Sequence, residues 1–342
     1  CDDNVGIGSG VMSTGALNDA HGNVALGYEA MKTLTQSDNN VAIGKQALSS
    51  ILAGAGGNVA LGYLSGRDVN SGTKNVFIGQ EAGMQQTSGS GSVNIGYYSG
   101  RVDSSSANVI IGHLAFSASN NSFSSSNVII GFESATGINS ANSTDNVIIG
   151  RGAGTGGGAE FTENIAIGSY ALDGTGSNAS TGQVAIGHYA LSAVTSGGLN
   201  TAVGYQSGDS VTTGGGNTLF GYRTGTEVTD GHSNTLIGAE AQKDNNVSEV
   251  VAIGERAGLY NSATQNVFVG NEAGRISSTG TGQTYLGYNS GYYALGNNNT
   301  FVGKNSGKGG TTSSPYSTGT DNTAIGYEAL ASYPTGKENT GV

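Results

Sequence analysis

The stretch Asn40–Leu48, NVAIGKQAL, decides the fold, because it returns with small changes along the whole chain. Other copies are NVALGYEAM from Asn23, NVFIGQEAG from Asn75, NVFVGNEAG from Asn266 and NTAIGYEAL from Asn322. Each begins with Asn (position one), continues through three mostly apolar residues and reaches a glycine at position five. From Gly8 to Gly326 this glycine occurs 19 times, at spacings of 16 (Gly254 to Gly270) to 19 (Gly8 to Gly27), with a single gap of 23 after Gly303. A period this short excludes helix-pair repeats and propeller blades, and it fits one turn of a solenoid.

The expected fold is therefore all-β: a repeat β-solenoid, or parallel β-roll, with one coil per 16–19 residues. One continuous array of about 19 coils fills residues 1–342. At the usual strand spacing such a stack would be a rod roughly 90 Å long. DNVGIG near the start and ENTGV at the end are both in repeat phase. Solenoids normally carry caps of different composition, so the expectation is a segment of a longer fibre.

Composition agrees. The chain has 61 glycines, no tryptophan and two prolines, and only 11% of its residues are charged. Its apolar residues come in short β-branched bursts bounded by turn formers, the pattern of many short strands. The net charge of −11 with 13 scattered basic residues offers no basic face for nucleic acid. Cys1 is the single cysteine, so no disulfide framework or thiolate metal cluster can form within one chain. It could be a lipidated terminus, but Cys1-Asp2-Asp3 also stands where other repeats carry SDN or TDN. No apolar run approaches the ~20 residues that span a bilayer.

Positions two to four form a strand, so two and four share one face and three faces the other way. Position four is always apolar (Ile43, Leu61, Ile149, Val203, Phe220) and position two is Val, Ile or Thr. That pair is expected to line the coil interior. Position three is also apolar, as in Phe77, Ile110, Ile129, Ile148, Leu219, Leu236, Phe268 and Phe301; Asn94 is a rare polar case. A strand apolar on both faces needs cover on both. Position three is therefore expected to face identical chains around an axis, as a homotrimer. The position-five glycine marks a corner that needs positive φ or close backbone approach. A small residue three places later (Ala30, Ala47, Ser65) marks a second corner or a crowded wall. The recurring Asn reads either as an amide ladder or turn cap, or as a ligand row. The structural reading is preferred, because a ligand site does not need this residue in nearly every coil.

These motifs resemble the head repeats of trimeric autotransporter adhesins, and the NTAIGYEAL type is similar to the repeat arrays of phage tail-fibre proteins. The resemblance covers essentially the whole chain. It implies a left-handed parallel β-roll wound as a trimer, outside the cell, on a bacterial surface or a virion. The coils here are longer than the shortest head repeats and vary in length. No coiled-coil stalk, membrane anchor or terminal chaperone domain is present in the sequence, so adhesin and virion fibre both stay open.

No catalytic constellation emerges, and no enzyme, cofactor or metal is expected. The histidines His21, His113, His188 and His232 lie far apart; His113 and His188 occupy the slot after the glycine, as Tyr28 and Lys45 do, and read as wall residues. Gly152, Gly154 and Gly157 match G-x-G-x-x-G, but the following TGGGAEFTE offers no helix for a dinucleotide site. GKNSGKGG from Gly303 misses a phosphate loop in spacing and in having Gly309 for Ser or Thr. Asp38, Asp145, Asp230 and Asp321 sit in turns, yet the glycine–aspartate nonapeptide of calcium-binding rolls is absent. Thr201, Thr218, Thr235, Thr284, Thr300 and Thr323 could suit an ice-binding face, but position two is expected to point inward. The long insertion between Gly303 and Gly326 is expected to loop outward, with Pro315 and Tyr316 as candidate surface contacts; a solvated bulge is the simpler alternative. The expected function is an extracellular structural or adhesive fibre, alternatively a phage tail fibre or spike shaft, and, as a further alternative, an ice-binding solenoid. The expected partners are further copies of itself and a host-cell or surface receptor, with no nucleic acid and no membrane insertion.

Overall fold

The computed structural model describes residues 3–14, 17–117, 125–138, 143–156, 160–176, 179–310, 317–333 and 335–342. The chain divides into two compact units, Cys1–Thr181 and Gly182–Val342. Each is a parallel β-solenoid, and together they make about 18 turns of about 17 residues. No helix occurs among the described residues.

In the first unit, Val41–Ile43 pairs in parallel with Val59–Leu61, which pairs with Val76–Ile78. Val41 lies beside Val59, Ala42 beside Ala60 and Ile43 beside Leu61, so every repeat position forms a column. In the second unit Thr201–Val203, Thr218–Phe220 and Thr235–Ile237 stack in the same register. β-Branched residues at positions two and four fit the pleated surface, and the glycine at position five ends the strand. A short side ladder, Phe161–Thr162 on Ser180–Thr181, adds to the first unit.

The motif glycines perform both tasks expected of them. Gly44 has φ +136°, and a Cβ there would lie 2.3 Å from the Gly62 carbonyl oxygen in the next coil. Two further left-handed residues follow, Gln46 at φ 58° and Leu48 at φ 46°. Such conformations cost an L-residue about 1–2 kcal/mol. They are offset because the freed amides donate between coils: Gln46 N to Tyr28 O at 2.8 Å and Leu48 N to Ser65 O at 3.1 Å.

The alternation along the strand holds, but its sense is opposite to the expectation. Position three points into the coil, and positions two and four point outward. Phe77, Ile110, Ile129, Ile148, Leu219, Leu236, Phe268 and Phe301 are fully buried within the single chain, not on a face awaiting partners. The reason is space. Position three shares the interior with position nine, and their volumes compensate. Ala25 is followed by Met31 and Ala42 by Leu48, all four buried. Phe77 is followed by Gly83, and a Cβ on that glycine would meet the Phe77 ring at 2.2 Å. Phe268 with Gly274, Tyr285 with Gly291 and Phe301 with Gly307 repeat the arrangement. The small residues Ala30, Ala47 and Ser65 form the crowded wall, with no exposed surface.

Gly112→Ala should destabilise the first unit by about 3 kcal/mol or more, through strained φ plus collision with the neighbouring backbone. The new Cβ would sit 2.2 Å from the Gly131 carbonyl oxygen at φ +144°. Gly216→Ala, at φ +68° with no atom within 4 Å, should cost only the left-handed strain of about 1–2 kcal/mol. Urea unfolding of the two variants distinguishes the terms, and equal losses would contradict the glycine-column account.

Candidate functional site

The recurring asparagine forms a buried ladder. In the second unit Asn217 Oδ1 accepts from the Asn234 backbone N at 3.0 Å and from Asn234 Nδ2 at 2.9 Å. Asn234 Nδ2 also donates to the Val247 carbonyl at 2.8 Å. In the first unit Asn23, Asn40 and Asn58 repeat the pattern. The side chains are almost completely buried, so the row is a structural spine and presents nothing to a ligand.

The chemistry that faces solvent lies on the outer side of the strands. In the first unit positions two and four carry Val24 and Leu26, Val59 and Leu61, with exposures of 37–44%. In the second unit the same face carries Phe220 at 52% and Leu286 at 47%. The threonines Thr201, Thr218, Thr235, Thr284, Thr300 and Thr323 belong to this outer face, a second correction to the expected orientation. No intrachain hydrogen bond involves their hydroxyls, whereas Thr33, Thr195 and Thr212 donate to carbonyls one coil away. Each unit thus presents in-register columns of aliphatic residues, joined by hydroxyls mainly in the second.

A third column borders this face at position six. The Lys45 ammonium lies 5.7 Å from the ring centres of both Tyr28 and Tyr63. Lys304 lies 5.9 Å from both Tyr288 and Tyr327. His113 stacks between Tyr97 and Phe132 at 5.0 and 5.2 Å, and His188 on Tyr205 at 5.3 Å, the wall role expected of both histidines. Tyr205 also stacks on Tyr222 at 5.6 Å, so successive rings of the column cover one another's faces there. At the next corner position, the Arg256 Nε bond to Glu240 at 3.0 Å, assisted by Lys243, holds the Glu240 carboxyl below its ordinary range. Exposed ion pairs of this kind are worth little individually.

The remaining sequence candidates separate cleanly. Gly152 and Gly154 are left-handed corners at φ 59° and 58°, with no helix after them, while Gly157 lies outside the described residues. Asp38 Oδ1 accepts the His21 amide at 2.8 Å and Asp321 Oδ1 accepts from Asn298 at 3.1 Å, both as turn bonds between coils. No cluster of three or more His, Cys, Asp or Glu side chains that could hold a metal occurs among the described residues. Pro315 and Tyr316 lie outside the described residues. The two ends of their insertion meet: Gly310 N donates to Ser317 Oγ at 3.2 Å, and Leu295 N donates to the Ser317 carbonyl at 2.8 Å. Compared with family models, curated proteins and solved structures, the chain matches none.

Two outcomes test this description. Asn217→Leu would remove the Oδ1 that accepts from the Asn234 backbone N–H and Nδ2, and the Nδ2 that donates to the Gly231 carbonyl, while Asn200 Oδ1 would keep the backbone N–H of residue 217. At about 1–3 kcal/mol for each unsatisfied group, the second unit should lose about 3 kcal/mol or more, read by denaturant midpoint; a neutral substitution would remove the ladder from the account of stability. Removing residues 311–316 should leave the thermal midpoint nearly unchanged, because Ser317 can still close on Gly310 and on the neighbouring coil. Unfolding on that deletion would make the insertion part of the coil.

Proposed function

We propose that this chain is a non-enzymatic, extracellular fibre segment that assembles as a homotrimer through the outer face of its strands. The observation that carries it is the solvent-facing columns at positions two and four, both aliphatic in the first unit, and in the second an apolar column beside a mixed threonine and valine one. Soluble monomers rarely expose contiguous apolar surface on this scale. Repetition in register makes the face self-similar, so an identical chain is its natural cover. Three as the number of chains, and a place on a bacterial surface or a virion, rest on the resemblance of the repeat to adhesin heads and tail-fibre arrays. In either setting the stack acts as a stiff spacer that carries a receptor-binding end. Adhesin and tail fibre make different demands on the flanking polypeptide: an anchor barrel with a coiled coil for the first, a baseplate-binding segment or terminal chaperone for the second.

A second reading has its own support. The outward threonines revive the ice-binding alternative, since a flat β-face of hydroxyls and methyls can order water. Against it, Phe220 and Leu286 interrupt the flatness beside Thr218 and Thr284. The first unit, moreover, presents valine at position two from Val24 to Val147.

Multi-angle light scattering of the unmodified chain at low concentration should give three times the chain mass. Ile43→Asp with Ile78→Asp, both on the outer face, should dissociate the assembly while leaving the far-ultraviolet β signal intact. Ile129→Asp with Ile148→Asp should instead unfold the first unit, because each buries a carboxylate in the coil. A well-folded monomer would overturn the trimer, and such a monomer that also slowed ice recrystallisation would support the second reading.

A further inference from the structure

The interior of the first unit is apolar through most of its described coils; Thr175 is an isolated buried hydroxyl, and residues 86–108 hold a larger polar group. Gln86, Asn94 and Asp103 all point inward there, with exposures of 0%, 0% and 1%. They belong to one network. Asn94 Nδ2 donates to Gln86 Oε1 at 3.4 Å, and Gln86 Nε2 donates to the Ser105 carbonyl at 3.4 Å and to Asn75 Oδ1 at 3.5 Å. The Asp103 carboxylate accepts from Ser105 N at 2.9 Å, from the Ser105 hydroxyl, and from Asn108 Nδ2 at 3.1 Å.

The network has more acceptors than donors. Asn94 Oδ1 is buried and has no hydrogen-bond partner. The carboxylate offers about four lone-pair sites, of which three are used. No cationic side chain offsets its burial; Arg101, nearby in sequence, is engaged by Glu81 at 3.1 Å. Burial pushes the Asp103 carboxyl up, against the bonds from Ser105 and Asn108. The Gly100 backbone at position nine packs directly on the Asn94 amide: a methyl there would lie 2.7 Å from Asn94 Nδ2 and 2.9 Å from its Oδ1. A comparable polar interior in the second unit behaves differently. In the second unit Gln242 and Asn261 bond one another at 2.5 and 3.2 Å, and Asn261 Oδ1 accepts from Asn266 Nδ2 at 2.9 Å and from Ala263 N at 3.2 Å. That pair is satisfied and contains no carboxylate.

We propose that Asp103, Asn94 and Gln86 form an internal site for one small hard cation, held by a carboxylate and amide carbonyl oxygens. Oxygen-only donors select calcium or sodium over softer metals. The bound ion would neutralise the buried carboxylate, occupy the unpaired Asn94 oxygen and pin successive coils together. It is independent of the proposed trimer, because the site lies inside one chain.

The test uses the full chain, dialysed against chelator in choline chloride, with thermal midpoints read as calcium or sodium chloride replaces choline at constant ionic strength. The midpoint should rise with concentration of one of the two cations and saturate, as ligand linkage requires; the responding cation identifies the occupant. Asp103→Asn should abolish the rise. Asn94→Ile, which installs the residue that Ile110 and Ile129 provide in the next coils, should fold and also lose the response. An unmodified chain indifferent to both cations would overturn the site, as would an equal response in both variants. So would cation-independent stability that falls as pH rises through the elevated Asp103 range, because the carboxyl would then simply keep its proton in the folded state.

Discussion

Each repeat position lies directly beside the same position of the next coil, about 4.8 Å away, and most other features of the molecule follow from that constraint. Every residue must tolerate its own kind as its nearest neighbour. Glycine at position five is required because backbone meets backbone there: Gly62 approaches the Gly79 carbonyl so closely that a Cβ would sit 2.5 Å from its oxygen. Asparagine at position one is favoured because a primary amide both donates and accepts, so Asn58 can bond Asn40 on one side and receive Asn75 on the other. Where the asparagine is replaced, the ladder bends around the substitution. Ser92 breaks it in the first unit, and Asn108 Nδ2 turns instead to Asp103 and the Ser105 hydroxyl.

The same constraint explains what could be read in the sequence and what could not. Spacing of the glycines was enough to define a parallel coil, because only a stack in register preserves Asn-x-x-x-Gly over so many copies. The ladder was legible for the same reason. The direction of the strand was not, since Val41 and Ile43 are as apolar as Phe77 or Ile129 and hydropathy cannot rank the two faces. A different signal was present: Ala42 with Leu48 against Phe77 with Gly83. Two positions that exchange volume must share one closed space, and that pairing places position three inside. The insertion around Pro315 and Tyr316 was recognisable by length alone. The bond between its ends, from Gly310 N to Ser317 Oγ, and the parallel bridge from Ser317 to Ala294 are announced by no local motif.

Reversing the strand changes where function can reside. With position three inside, the interior is complete within one chain, as the full burial of Tyr285 and Phe301 indicates. The surface left over is the aliphatic and threonine face, which the proposed fibre would either cover with copies of itself or use. Column-wise repetition means that neighbouring coils offer nearly the same contact, so affinity would grow with the number of coils engaged while register would be weakly specified. Phe220 in a column of Ile and Val, and the change from valine to threonine at position two, are irregularities able to fix that register.

Charge is the one property that self-stacking penalises, and its distribution shows how the chain manages it. Lysine beside lysine at one coil spacing would repel along the whole column. Lys45 instead sits between Tyr28 and Tyr63, and Lys304 between Tyr288 and Tyr327, so each ammonium meets ring faces in place of another cation. Arg151 lies similarly over Phe132 and Tyr170. Glu240, Arg256 and Glu272 occupy successive coils and alternate in sign, whereas the turn residues Asp145 and Glu163 stack with like charge. Lys45, Lys304, Arg151 and Arg256 each have an aromatic ring or an opposite charge as neighbour, in a chain of which only 11% is charged. Asp103 departs from that pattern. It is a carboxylate inside the stack with Gln86 one coil before it and neutral side chains around it. A charge without its alternating partner, in a molecule that supplies one at these other positions, is the physical reason to look for a counter-ion in that coil.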